Sequence, residues 1–437
     1  MPPITARLLD PTFEAIPDPF YGYDKRQEPL PDRLYLPCGI DPGKKECGVA
    51  FLHPLPAHDE VLAHKTIRNC HLEDAQWLLA SGNKLADPFG ATPAYVFEST
   101  NNLWRPLWHF VQSQGGVTAT VAGRQTAHSR STKTRKAQND FIDAKNIAKV
   151  FKDGYSHASR SPKEPIASLR EYERLHLFVT EFAVAIQNRM NNIRFDIFPE
   201  FDGLFCKDKT LATTLALMRS ELVHPQKLLA ASPEALFDLV HQASHGKLGD
   251  ERVQAILRAA ENTFALPYAV EGFSFGLKLL ADIYAYLEEV ILPALKERIV
   301  DCLARVPFQH YLDEIPYFGP IVIGTLLGEL GDPAWFPTVD SVVAWFGLDP
   351  AVSESCHQPS GPSHLTKRGT KYGRRMMWLV ARNWAQYRPE GRDFFKRQVY
   401  AYHRSYDAGI VMLAAKLLRA AYAMLRDGSH FDLDKLF

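Results

Sequence analysis

From residue 36 onward the chain alternates short apolar runs with longer stretches in which apolar side chains recur every three or four positions. The runs "LPCGI" (36–40) and "CGVAFLH" (47–53) read as two strands joined by the tight turn "DPGKKE". "EVLAHKTI" (60–67) suits a third strand, and a helix follows around 71–81. "AYVF" (94–97) reads as a short buried strand, "NNLWRPLWHFVQSQ" as a helix and "VTATVA" (117–122) as another strand. A helix inside "RKAQNDFIDAKNIAKVF" (135–151) closes this part near Gly154. A three-strand meander followed by alternating helices and strands predicts a mixed α/β sheet with helices on its faces.

Beyond residue 157 the pattern changes. Leu169, Tyr172, Leu175, Val179, Phe182, Ile186, Met190, Ile193 and Ile197 recur as a coiled-coil seam requires. Leu280, Ile283, Leu287, Val290 and Leu295 repeat the pattern over 279–304, with a separate helical insertion at about 205–270 between them. The simplest arrangement is an antiparallel helical hairpin carrying an inserted lobe, and its longest helix offers a self-association surface. From 307 the chain is helical again. It is interrupted by "IPYFGPIVIG", a turn of the helix-hairpin-helix kind, and by the polar loop "SESCHQPSGPSHLTKRGT" (353–370). Domains are expected at 36–156, 157–306 and 307–437, after a disordered arm at 1–35 that is rich in Pro and polar groups.

Composition adds little at first. Apolar residues make up 46% and the formal net charge is zero, so neither disorder overall nor a general affinity for polyanions follows. The local distribution is more informative. Residues 124–152 hold eight Lys/Arg, and residues 367–397 hold ten against two acids, blocks that suit either a polyanion or a solvated helix face. Cys38, Cys47, Cys70, Cys206, Cys302 and Cys356 contain no C-x-x-C pair and read as free thiols. No run is seen to approach a membrane span of about 18 residues, and the N-terminus has no signal-peptide core. The cytoplasm is the expected location.

Asp140 and Asp143, three apart, fall on one helical face, where two like charges repel unless a cation joins them. The first strand ends in Asp41 and the strand at 94–97 ends in Glu98. If the fold brings these strand ends to the helix, four carboxylates meet. Such hard oxygen donors suit Mg²⁺, and two ions about 4 Å apart can activate a nucleophile and stabilise a leaving oxygen in phosphodiester chemistry. Any one of these acids alone would be an ordinary surface charge.

The order Asp41, Glu98 and "D-x-x-D-A" at 140–144 resembles the DEDD transposases of bacterial insertion sequences, the IS110 group that includes Piv-type site-specific recombinases. "RFDIFPEF", "EIPYFGPIVIGTLLGELGDPAWFPTVDSVVAWFGLDP", "LTKRGTKYGRRMMWLVARNWA" and "AAKLLRAAYAMLRDG" extend the resemblance over about 36–200 and 290–430. It implies a RuvC-like, ribonuclease-H-type N-terminal domain. It also implies a nucleophilic serine in the C-terminal domain, five residues after the proline of a G-L-x-P turn. That register selects Ser355, although Cys356 follows where the family has glycine, and Ser360-Gly361 is a rival. The resemblance further implies a covalent phosphoserine link to DNA, a structured noncoding guide RNA, and dimers that pair into a tetramer.

Arg124, Arg130, Lys133, Arg135 and Lys136 precede the acidic helix, and Lys367, Arg368, Lys371, Arg374 and Arg375 follow the serine loop. Both blocks lie where phosphate neutralisation is needed. Trp104, Trp108, Trp378 and Trp384 suit base stacking or, at helical spacing, the core. His357 and His364 suit proton transfer or plain loop surface. Three other functions compete with a DNA recombinase. One is a metal-dependent nuclease of the junction-resolvase type, working without the serine. Another is an actin-like kinase, suggested by the "GIDPGKKECGVAFL" turn but lacking a second phosphate-binding turn. The third is a nucleic-acid-binding protein without catalysis.

Overall fold

The computed structural model describes residues 34–99, 102–123, 125–126, 139–158, 163–204, 212–308, 310–349, 354–355, 358–359, 365 and 369–437. The expected arm lies outside them as far as residue 33. The chain divides into two compact units, with the boundary between residues 161 and 162.

The first unit is built on strands β1 (Tyr35–Pro42), β2 (Glu46–Leu52), β3 (Val61–Arg68), β4 (Thr92–Glu98), β5 (Val117–Val121) and the two-residue β6 (His157–Ala158), in the order β3-β2-β1-β4-β5-β6. The meander β1-β2-β3 is antiparallel, while β4 and β5 run parallel to β1. The periodicity anticipates all of these strands except β6, which adds only two residues to the β5 edge.

Alternation along the strands separates the two faces. Cys38, Ile40, Cys47, Val49, Phe51, Tyr95 and Phe97 pack on Leu78 of α1 (Leu72–Ala86) and on Leu107 and Val111 of α2 (Arg105–Ser113). Tyr35, Ala94, Val96, Ala119 and Val121 pack on Ile147, Val150 and Phe151 of α3 (Asp140–Lys152). Lys149 and Lys152, in the last turn of α3, hold the loop after β2. Lys149 pairs with Asp59, and the Lys152 ammonium donates to the carbonyl oxygens of His53, at 3.1 Å, and His58.

The second unit is helical. Its longest element, α4 (Ile166–Ile197), is followed by α5 (Phe201–Leu204), α6 (Ala212–Arg219), α7 (Pro225–Ala230), α8 (Pro233–Ala243) and α9 (Asp250–Glu261). A rod then forms from α10 (Val270–Tyr286), a π-helical segment (Leu287–Ile291) and α11 (Leu292–Leu303). Leu169 clusters with Ile299 and Cys302, whereas Val179 to Ile197 cluster with Leu277, Ala281 and Leu287. The pair is therefore antiparallel.

The seam meets its sequence-based expectation at Leu169, Val179, Ile186, Met190, Ile193 and Ile197, which are buried, and departs from it at a few positions. Leu175, Phe182 and Val290 are exposed, and Glu173, Ala183 and Arg194 are buried in the stripe instead. Phe182 stays outside the contact, and its small neighbour Ala183 lies in it. The insertion is helical, as expected, and among the described residues it forms no core separate from the hairpin. Leu217, Met218, Leu236, Val240, Val253 and Ile256 share the core of the hairpin.

Elements α12 (Pro320–Leu330), α13 (Val339–Trp345), α14 (Lys371–Tyr387), α15 (Pro389–Lys396), a π-helical turn (Arg397–Ala401), α16 (Tyr406–Asp427) and α17 (Leu433–Leu436) complete the unit. Among the described residues between α11 and the "YFGP" turn, a single 3₁₀ turn, Leu312–Glu314, stands in place of the first helix of the expected pair. Buried Phe318 and a hydrogen bond from Trp384 to the carbonyl oxygen of Pro316 fix that turn to the core instead. Contrary to the reading that no run approaches a membrane span, α16 is long and apolar enough to cross one. Its Leu413, Leu417, Leu418 and Tyr422 are buried in the core of this unit, which accounts for its composition.

Candidate active site

Asp41 and Glu98 end neighbouring parallel strands. The ladder between β1 and β4 closes with Ile40 beside Phe97, so the next residue on each strand is the acid. Ile40 and Phe97 face α1 and α2, and alternation turns Asp41 and Glu98 to the opposite face, where α3 packs. Two glycines allow that helix to approach closely. A β-carbon on Gly39 would stand 2.6 Å from the amide nitrogen of Ala148, and one on Gly48 would stand 2.5 Å from the carbonyl oxygen of Asp140. Gly48 is the cross-strand partner of Asp41. The first residue of α3 therefore rests on the main chain beside Asp41, and the ends of β1, β4 and α3 meet.

The helix start is well determined. Asn139 is the N-cap, and its side chain accepts a hydrogen bond from the amide of Ile142 at 2.8 Å. Asp140 and Asp143 lie in the first turn, where the positive end of the helix dipole offsets part of their mutual repulsion. Asp140 is exposed, Asp41 and Asp143 are half-buried, and Glu98 is only 8% exposed. Fully buried Thr126 donates its hydroxyl to Glu98 Oε2 at 2.9 Å, which fixes one carboxylate oxygen. The buried Cys47 thiol beneath the site is pushed up to about 12 by desolvation and stays protonated.

All four acids offer hard oxygen donors, the chemistry that suits a divalent cation, and the bare surface of Gly48 leaves room for Asp140 beside Asp41. The convergence is one of backbone positions. Among the described residues, no three His, Cys, Asp or Glu side chains are arranged so that they could hold one ion.

The other expected site residues are placed unevenly. The backbone of Glu354–Ser355 forms strand β7, with Ser355 opposite Gln358 of β8 (Gln358–Pro359). Ser360, Gly361, Cys356, His357 and His364 lie outside the described residues, as do Arg124, Arg130, Lys133, Arg135, Lys136, Lys367 and Arg368. Lys371, Arg374 and Arg375 occupy the first two turns of α14, which carry no acid. Three cations at the positive end of a helix are unfavourable by themselves. Glu181 of α4 answers Arg375, while Lys371 is exposed. The four tryptophans belong to the core. Trp108 and Trp384 are 6% and 0% exposed, and Trp104 and Trp378 pack against the same clusters.

Thr126, Gly39 and Gly48 were not expected. A glycine two residues before an acid at a strand end was the available signal for the close helix approach. Nothing in the local pattern marked Thr126.

No curated protein matched the chain at a significant level. Two family models did match. A DEDD transposase model of the IS110 type covers residues 38–199, which include Asp41, Glu98, Asp140 and Asp143, and a model described as the transposase IS116/IS110/IS902 family covers residues 309–396. Together they take in more than half of the 437 residues. The sheet order, the acidic strand ends and these two matches agree, and the chain belongs to the IS110 family of DEDD transposases, enzymes that act on DNA.

Proposed function

We propose that the protein is a site-specific recombinase of an insertion element, in which Asp41, Glu98, Asp140 and Asp143 hold Mg²⁺ and Ser355 attacks the DNA backbone. The observation that supports this reading is the close approach of the β1, β4 and α3 ends at the level of the backbone, with Asp41, Glu98 and Asp140 standing at those ends. Bound magnesium, as one ion or a pair, would supply Lewis-acid charge to the scissile phosphate and the attacking hydroxyl. The chain's own residues do the rest. Thr126 orients Glu98, and the Asn139 cap orients the first turn of α3. In the reaction the serine Oγ forms a bond to phosphorus, a P–O bond to one sugar breaks, and the departing oxygen takes up a proton. The phosphodiester energy is kept in the phosphoserine, so strands rejoin without ATP.

Division into a catalytic domain at 36–156, a helical arm at 157–306 and a serine-bearing domain at 307–437 belongs to the same proposal. So do guidance by a structured noncoding RNA, with base pairing choosing the sequence, and dimers that pair across two DNA segments. The cation-rich start of α14 favours a polyanion, because phosphate is the partner those charges lack within their own helix. A second reading is a nuclease that uses water in place of the serine. It is favoured by all four acids belonging to the first unit.

Incubation with the element's end DNA, its flanking transcript and Mg²⁺ separates the two. A DNA-linked peptide from 353–363 is the expected product, lost in Ser355→Ala and kept in Ser360→Ala. The reverse pattern moves the nucleophile to Ser360, and cleavage with no linked peptide supports the nuclease. Asp143→Asn is expected to abolish cleavage and keep nucleic-acid binding; unchanged recombination would remove the metal assignment.

A further inference from the structure

The tryptophans considered for base stacking are in the core, yet the second unit displays other aromatic side chains. Tyr400 is 71% exposed, Tyr402 63% and Tyr406 53%. All three belong to the short segment "KRQVYAYHRSY" (396–406), where α15 passes through the π-helical turn Arg397–Ala401 into α16. Cations surround them. Lys396, Arg397, His403 and Arg404 are exposed, and none of the four is paired with a carboxylate among the described residues. Phe178 and Phe182, two of the large apolar side chains exposed on α4, instead flank the acid Glu181.

The segment is ordered by its own backbone. The amide of Tyr402 donates to the carbonyl oxygen of Arg397 at 3.1 Å, and that of Arg404 donates to Gln398 at 3.1 Å. Buried Gln398 roots the turn, and Phe395 holds the Tyr406 ring edge-on with centroids 5.1 Å apart. His403 takes a left-handed backbone conformation, φ +52°, which a residue other than glycine adopts at a cost. A π-turn followed by a left-handed histidine is a costly way to join two helices, and π-bulges gather at functional sites. Here the result is two tyrosine rings exposed on a fixed turn between cations that no carboxylate answers among the described residues, although Arg404 also donates to the Met412 sulfur.

An apolar partner would leave those cations buried without counter-charge, and an acidic peptide would give the rings nothing to stack on. Bases joined by phosphates satisfy both. We propose that the turn 397–406 is a stacking platform for unpaired bases of a single-stranded nucleic acid, with Tyr400 and Tyr402 against the bases and Lys396, Arg397 and Arg404 against the phosphates. This rests on the nucleic-acid reading above and adds the residues that would grip an unpaired segment.

The test measures binding of the full-length protein to a 20-nucleotide single strand of DNA, the same sequence as RNA, and the corresponding duplex, across a salt series. Tyr400→Leu/Tyr402→Leu is expected to weaken single-strand binding about ten- to hundredfold, leaving duplex binding and the salt slope unchanged. Tyr400→Phe/Tyr402→Phe, which keeps the rings, is expected to bind as the parent does. Arg397→Gln is expected to flatten the salt slope. A larger loss in the RNA arm identifies RNA as the source of the bases, and a larger loss in the DNA arm identifies DNA. Single-strand binding that survives the leucine pair, or that falls equally with duplex binding, overturns the platform while leaving the recombinase reading intact. A parent protein that binds none of the three overturns both.

Discussion

Gly48 supports the backbone of Asp140: a β-carbon at Gly48 would lie 2.5 Å from the Asp140 carbonyl oxygen and 2.9 Å from its Cβ. No backbone pair can accept that approach, so Gly48→Ala must lift the first turn of α3 from the sheet. The expected result is a loss of about 1–3 kcal/mol in stability, as overpacking costs elsewhere, with metal-dependent cleavage reduced far more than the melting temperature implies. Thermal unfolding and cleavage measured on the same preparation check this. A variant that melts lower but cleaves normally would show that the helix position does not matter to the chemistry.

Thr126 offers a finer probe. Thr126→Val keeps the shape and removes the donor to Glu98 Oε2. Loss of such a supporting hydrogen bond is expected to raise the Mg²⁺ concentration needed for half-maximal activity about tenfold or more, with excess Mg²⁺ restoring much of the rate. An unaltered Mg²⁺ titration would mean that Glu98 needs no orienting partner.

In the second unit, Glu173 of α4 is 3% exposed, and burial pushes its carboxyl up to about 8, although the Thr325 hydroxyl, donating at 3.0 Å, works the other way. An acid whose folded value lies above its unfolded value, near 4.5, holds its proton more tightly in the native state. Its contribution is complete below about pH 4.5, declines as pH rises toward about 8 and is constant above that. Glu173→Gln is therefore expected to flatten this part of the stability profile and to raise Tm at pH 8 by several degrees. Equal falls in Tm between pH 5 and pH 8 in parent and variant would contradict it.

Arg174 and Glu329 test the same helix contact by charge. The guanidinium donates to both carboxylate oxygens of Glu329, at 2.7 and 3.1 Å, and Glu329 is 1% exposed. Arg174→Met strands a buried carboxylate and is expected to cost about 3–5 kcal/mol. Adding Glu329→Gln should recover much of that, and denaturant unfolding of the two single variants and the double measures the recovery. Strictly additive losses would mean the pair does not act as a unit.

Much of the first unit was legible because two periods, two for strands and 3.6 for helices, do not overlap over segments of this length. Asp140 and Asp143 could be placed on one turn by spacing, and Asp41 and Glu98 at strand ends by where the apolar runs stop. What joined them was not legible. Glycine at 39 and 48 shows that a side chain is missing, while the helix passing over it comes from residues about a hundred positions later. On α4 the periodicity marks Leu169, Val179, Ile186, Met190, Ile193 and Ile197, which are buried, but it also marks Leu175 and Phe182, which are exposed while Ala183 and Glu173 are buried, because depth follows the contacts made and not side-chain size. The same rule separates the tryptophans, which are inside, from Tyr400 and Tyr402, which are out; both sets are aromatic residues among cations, and only the fold distinguishes them.

The two glycines under α3 also change how this domain responds to mutation. Systematic replacement by alanine normally measures what a side chain contributes by deleting it. At positions 39 and 48 it can only add atoms, so the greatest damage to catalysis outside the acids should come from two residues that have nothing to remove. A search for important positions guided by reactive groups would pass over both.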